Sequence, residues 1–300
     1  DITPACAEEG NLTASKVSIV SNCGAYASLG GPVLQRAGTH SSGPYHFEHF
    51  AFDGVCVYTN TVPGGAFRGF GVTQTVFGQE QNIDELAALV GMDPWAFRYK
   101  NAVRPGEALP NGQICSEETG LVECLEAVKE AYYSSPRSGL AICMKNSGIG
   151  VGLPDIGRTT LEVQNGIVRI RTGAACIGQG VGTMATQILC ETTGLTRDKV
   201  LVESPDTVRT PNSGTTTASR QTLFTGEATR LASVKLKELL ETKSLDELNG
   251  TEITEEFLGV TDPFNSDKPH PKNHVAYGFG ACVAIIGDDN KVSDLHVAYD

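Results

Sequence analysis

No apolar stretch in the chain approaches the roughly 18 consecutive residues that a membrane helix requires, so a spanning helix is excluded. Runs of Lys and Arg are missing too, and the formal net charge is -12, which leaves no cationic footprint for a nucleic-acid backbone. The nine cysteines are scattered singly, odd in number and without a C-x-x-C pair. That pattern argues for reduced thiols and a cytoplasmic location, and against a zinc or iron–sulfur cage built wholly from this chain. There is no internal repeat and no signal-like segment, and both ends read as internal to something longer.

What is present is the composition of a soluble globular protein, 40% hydrophobic and 19% charged over 300 residues, enough for two domains. The polar, turn-rich segment Ser134 to Gly139 is the best linker, which predicts lobes over residues 1–136 and 137–300. Strand-like alternation covers residues 14–21, and a Gly-rich turn region follows in GAYASLGGP. Helical periodicity covers 83–90, a segment opening at Pro94 with Asp93 as cap, and 121–132. The second half offers strands at 140–144, 160–163 and 167–171, the last two joined by the hairpin dipeptide Asn165-Gly166. A helix near Gly180, a strand at 200–203, a helix over 221–240 and strands at 276–286 and 292–298 complete the reading. Hairpins mixed with separate helices predict an α+β fold.

Glycine is abundant, 34 residues, against a usual share of roughly 7%. Three segments concentrate it: PGGAFRGFG (63–71), GAACIGQGVGT (173–183) and TPNSGTTTASRQT (210–222). Glycine admits close approach of backbone to a ligand, and loops that run into helix N-termini present unpaired N–H groups to anionic oxygens. Two such loops could hold opposite parts of one extended anionic cofactor, with donors from Thr217, Ser219 and Gln221. Other readings stand beside this one. The GQGVG turn is also compatible with a dinucleotide turn, Glu203 serving as the ribose-binding acid, or with a helix cap that binds nothing. Phe67 and Phe70 could be core aromatics beside a surface Arg68.

Taken in order, GGAFRGFG followed by Gln74, the GQG turn, the TxxASRQT stretch and the closing HVAYGFGACVAIIGDDNKVSDLHVAYD resemble the molybdenum hydroxylase family, that of xanthine dehydrogenase and aldehyde oxidoreductase. The resemblance runs from about Ala14 to Asp300. It implies two mixed lobes of a molybdenum-cofactor-binding region, with Ala66 and Phe67 against the cofactor and Arg68 and Phe70 beside the molybdenum centre. Phe70 would flank a planar substrate. Gln179 would contact the pterin, with Gly178 and Gly180 giving backbone access. Thr217, Ala218, Ser219, Arg220 and Gln221 would bind the pterin and its phosphate end, in the cytosine dinucleotide form. Arg36 falls where xanthine-type enzymes keep an arginine that polarises a substrate carbonyl; otherwise it is an exposed loop arginine.

The family's second sandwiching aromatic is missing from GIGVG (148–152). Its catalytic glutamate belongs beyond Asp300 and its FGG loop before Asp1, so this polypeptide alone is expected to be inactive. The resemblance implies a component of a molybdenum-dependent oxidoreductase that oxidises an N-heteroaromatic of purine or nicotinate type, or an aldehyde, with water as oxygen source. No metal ligand is assigned to this chain. Iron–sulfur clusters and FAD would reside on partner domains or subunits, beside the remaining portion of the molybdenum subunit. A reductive family member acting on an aromatic thioester, a cofactor-free assembly scaffold and an NAD-binding dehydrogenase are the alternatives.

Overall fold

The computed structural model describes residues 1–217 and 219–300. The chain opens with β1 (Ile2–Cys6) and β2 (Leu12–Gly24), paired antiparallel. Helix α1 (Gly30–His40) then crosses over to β3 (His49–Tyr58), which runs parallel to β2 with Ser21 opposite Cys56. Three helices follow: α2 (Val72–Leu89), α3 (Pro94–Asn101) and α4 (Leu121–Tyr133), and then β4 (Ser138–Ser147). Asp93 caps α3 as its position before Pro94 predicts, its Oδ1 accepting from Ala96 N at 2.9 Å. In α4, Leu121, Leu125 and Val128 form an i, i+4, i+7 stripe, and all three are buried.

A second unit holds β5 (Asp155–Gln164), β6 (Ile167–Arg171), α5 (Val181–Thr193), β7 (Val200–Val202), α6 (Gly226–Leu240) and β8 (Glu252–Gly259). Its sheet has the order β7-β6-β5-β8. The β5–β6 hairpin turns at Asn165 and Gly166, φ 54 and 70, as that dipeptide predicts. Helix α5 is the crossover between the parallel strands β6 and β7. Strand alternation sends Leu161, Val163, Val168 and Ile170 into a core shared with Ala185, Leu189, Ala232 and Leu236 of α5 and α6. A single π-helical turn, Gln221–Thr225, precedes α6.

The chain then forms β9 (Ala276–Ile286) and β10 (Val292–Tyr299), in a sheet of order β10-β9-β4. Unit 1 comprises Asp1–Lys145, Asp267–Lys272 and Tyr277–Asp300; unit 2 comprises Asn146–Ser266 and Asn273–Ala276. This corrects the predicted cut at residue 136. Ser138 and Gly139 of the proposed linker open β4, and the last two strands belong to the first unit. Turn chemistry is local, whereas the pairing of β4 with β9 is not, so composition marked the wrong boundary. The mixture of hairpin, crossover and packed helices is the α+β architecture that the sequence predicts.

Glu80 organises the core of unit 1. Its carboxylate accepts from Tyr45 Oη at 2.5 Å, from Arg98 Nε at 2.9 Å and from Ile142 N at 2.9 Å. Arg98 is fully buried and also bonds Asp84 Oδ1 at 2.6 Å. Burial pushes the Glu80 carboxyl above its ordinary value, and Arg98 opposes that rise. Replacing Arg98 by Met should therefore cost about 3–5 kcal/mol, because it leaves a buried charge without its partner. Urea unfolding of Arg98→Met checks this. The raised carboxyl pKa also fixes a sign: protonation is favoured in the folded variant, so its stability should recover as pH falls through the carboxylate range and be lost as pH rises.

Candidate functional site

In unit 1 the PGGAFRGFG segment is a surface loop running into α2. Ala66, Phe67 and Arg68 are exposed and Phe70 is half-buried, so neither aromatic is a core residue. Gly69, Phe70 and Gly71 take left-handed φ values of 101, 54 and 95. At Gly71 no side chain is possible. A Cβ there would collide with the carbonyl oxygen of Val33 and come within 3.0 Å of Ala37 N, so the loop is pressed onto α1.

That contact brings the loop against the helical turn that carries Arg36. The exposed-loop alternative for Arg36 is corrected: it lies within α1 and is 6% exposed. Burial lowers its pKa to about 10, with the neighbouring Tyr277 opposing, so it stays charged at neutral pH. Lys145, brought down to about 8 by burial and then by Arg36, stands close by. A cation shielded from water in this way acts strongly on a bound carbonyl or carboxylate.

In unit 2 the GQG turn is the loop between β6 and α5. Gly178 and Gly180 take φ 109 and 79, and a Cβ built at either meets nothing within 4 Å. They are glycines for backbone shape, facing open space. Gln179 is exposed and folds back on its own loop, Oε1 accepting from Ile177 N at 2.6 Å and Nε2 donating to Ala175 O at 3.2 Å. The Cys176 thiol, which sequence reasoning misses, sits beside the backbone N–H groups of Gly178, Gly180, Val181 and Gln179, and these hold it below its ordinary value. Donors that converge on one sulfur at a helix N-terminus are arranged to receive an anionic oxygen. A Cys placed just before a Gly-rich helix start is the available signal.

The third segment meets the second. Thr216 Oγ1 donates to Ala175 O at 2.7 Å, the same carbonyl that Gln179 uses, and Gln221 Nε2 donates to Thr216 Oγ1 at 3.1 Å. Thr217 is half-buried and Ser219 exposed, at φ 54. Ala218 lies outside the described residues. Arg220 is different from its predicted role: it is 1% exposed, paired with Asp155, and donates to Ser213 O at 2.7 Å, Thr215 O at 3.0 Å and Ile156 O. Its guanidinium holds the loop from beneath. Gln221 is likewise buried, its Oε1 accepting from Thr225 Oγ1. Beside Ser219 a cavity of about 400 Å³ is lined by Thr222, Leu223, Gly226, Ile188 and Arg230.

Two further readings meet the structure here. Glu203 is bound by Arg171 at 2.8 Å and Arg169 at 2.9 Å, with Arg209 at 3.7 Å, which commits the carboxylate that a ribose would need. The missing aromatic of GIGVG has a physical counterpart, since a Cβ at Gly150 would run into the buried His274 ring. Among the described residues no group of three or more His, Cys, Asp or Glu is disposed to hold a metal, and no helix is long and apolar enough to cross a membrane.

Two models of a molybdopterin cofactor-binding domain match the sequence, one over residues 1–102 and one over 115–286, the second covering more than half of the chain. The chain belongs to the molybdopterin cofactor-binding domain family. Within the family it is 34% identical over 225 residues to a probable xanthine dehydrogenase subunit of Bacillus subtilis, covering 71% of this chain and 30% of that protein. It is 42% identical over 123 residues to the nicotinate dehydrogenase large molybdopterin subunit of Eubacterium barkeri, over 41% of this chain and 29% of that one. The solved aldehyde oxidoreductase of Desulfovibrio gigas superposes with a TM-score of 0.86 at 27% identity, covering all of this chain and 36% of that one. The chain thus spans about a third of each relative's full length. For a member of this family the loops of unit 2 fit the group: open glycine backbone, a helix N-terminus and exposed hydroxyls offer donors to a pterin and its phosphate.

The burial contrast between two neighbours gives a direct check. Arg220→Met should destabilise unit 2 by about 3–5 kcal/mol, since Asp155 would be left buried and unpaired. Ser219→Ala, on the surface one residue earlier, should move stability by less than about 1 kcal/mol. Chemical denaturation of both variants distinguishes the structural residue from the exposed one.

Proposed function

We propose that this chain forms the cofactor- and substrate-facing part of a molybdenum hydroxylase that oxidises an N-heteroaromatic of purine or nicotinate type, or an aldehyde, with water as the oxygen source. The observation that carries the proposal is the shared acceptor Ala175 O, which ties the GQG turn to the TTTASRQT stretch and makes them one continuous donor surface. Gly178, Gln179 and Gly180 would hold the pterin, and Thr217, Ser219 and the backbone around them its phosphate end. The cavity beside Ser219 is compatible with the cytosine dinucleotide form, since Leu223 and Ile188 give it apolar lining and its rim carries the Arg230–Glu227 pair.

When bound, the molybdenum group supplies the two-electron oxidation and delivers oxygen that originates in water. This chain's own residues bind, orient and polarise. Phe70, at the lip of its loop, would hold a planar ring flat, and Arg68 would approach the reacting face with its exposed guanidinium. Arg36, buried beneath that loop, would stabilise negative charge developing on a substrate carbonyl or carboxylate. The nicotinate dehydrogenase relative, 42% identical where it matches, favours the N-heteroaromatic class. Electrons would leave through iron–sulfur and FAD partners, together with the remaining portion of the molybdenum subunit. Nine unbridged cysteines favour the cytoplasm as the site of action.

The test is to assay the assembled enzyme for molybdenum, for the nucleotide released from its pterin, and for turnover of hypoxanthine, nicotinate and an aromatic aldehyde in 18O-labelled water. Molybdenum with one cytidine nucleotide per metal, and label in the product, are expected. Arg36→Met should lower kcat by about 10²–10³ while molybdenum content is unchanged. Absence of molybdenum from the assembled protein overturns the proposal, and a pterin lacking its nucleotide overturns the dinucleotide part.

A further inference from the structure

At the base of the PGGAFRGFG loop, two cysteines of unit 1 meet on neighbouring strands. In the β2–β3 ladder Cys56 lies opposite Ser21, so a regular ladder would leave Cys23 two residues further along. The register shifts between Asn22 and Gly24, and at this irregularity Cys23 and Cys56 come together over Gly30. Gly30, at the start of α1, packs there, and a Cβ on it would collide with Cys23 Cβ and stand 3.1 Å from Cys56 Sγ. Cys23 is buried, its Sγ 2.9 Å from Val57 O, whereas Cys56 is half-buried and reachable from solvent.

We propose that Cys23 and Cys56 form a redox-active dithiol, which a peroxide converts into a disulfide joining β2 to β3. In the first step peroxide oxidises the Cys56 thiol to a sulfenic acid and one water leaves. In the second, the Cys23 sulfur attacks that of Cys56, the S–S bond forms and a second water departs. Two thiol hydrogens and two electrons thus pass to one peroxide. Proximity drives the closure, not thiol acidity: burial, and then the Cys23 sulfur beside it, hold Cys56 above its ordinary value. Oxidation should therefore accelerate with rising pH. The bond would form directly under the PGGAFRGFG loop, since Gly64 N donates to Cys23 O at 2.9 Å. It would fix the base of that loop to both strands.

The protein as isolated, with the partners it retains, is treated with hydrogen peroxide, alkylated with iodoacetamide under denaturing conditions and digested without reductant. Peptide mass analysis should show Cys23 linked to Cys56, lighter by two hydrogen atoms, reversible by dithiothreitol, and in several-fold higher yield than any other cystine. Exposed Cys143 and Cys176 serve as internal controls for oxidation. If they are oxidised while Cys23 remains alkylatable, or if Cys56 proceeds to sulfinic acid, the proposal is overturned. A second measurement needs no variant. Phenylarsine oxide should protect Cys23 and Cys56 together from alkylation, and after prior peroxide the pair should no longer bind the arsenical; independent alkylation of the two overturns the pairing.

Discussion

One backbone carbonyl, Ala175 O, joins the two loops of unit 2 that are proposed to hold the cofactor. It accepts from Gln179 in its own loop and from Thr216 in a segment 41 residues later. Without that shared acceptor the two loops would be separate surface excursions, each with its own conformational freedom to lose on binding. With it, the glycine turn before α5 and the hydroxyl-rich stretch before α6 form one surface. Beneath it, Arg220 clamps the second loop to Asp155 and to the carbonyls of Ile156, Ser213 and Thr215. Exposed donors stay where they are because buried ones are saturated by protein.

Unit 1 uses a steric constraint where unit 2 uses hydrogen bonds. Gly71 is so close to Val33 and Ala37 that the FRGFG loop is fixed to the turn of α1 that carries Arg36. A buried cation, the exposed Arg68 and the half-buried Phe70 are thereby held on one small frame. The frame rests on the Glu80 and Arg98 network, which ties α2 to α3 and to β4. In both units the residues that would touch a ligand sit on backbone whose position is set by groups that would not.

Much of this is legible from local sequence, and the failures share a cause. The Asp93 cap, the Asn165-Gly166 turn, the α4 stripe and the β6–α5 glycine loop each announce themselves within a few residues. Helix α1 does not. Gly30, Gly31, Pro32 and Gly38 are poor helix formers, and the helix stands because tertiary contact, including the close approach of Gly71, favours it. The α2 start at Val72 is obscured by buried polar positions, Thr75 and Gln79, that break the apolar period. Arg220 resembles a ligand-binding arginine because Asp155, its partner, lies 65 residues earlier. Conversely Cys176 is signalled only by its place before a Gly-rich helix start, and the folded loop is what shows the N–H groups beside its sulfur. Spacing reveals turns and stripes; pairings over long separations come from the fold.

The central claim is that the donor surface joined at Ala175 is where the pterin group rests. Hydrogen–deuterium exchange on the assembled protein, with its cofactor and after the cofactor is removed, tests it most directly. Slowed exchange in the segments 174–181 and 215–221 of the loaded protein, with α4 unchanged, is the result that this account requires. Full molybdenum content with the same exchange in both segments, loaded or empty, would contradict it.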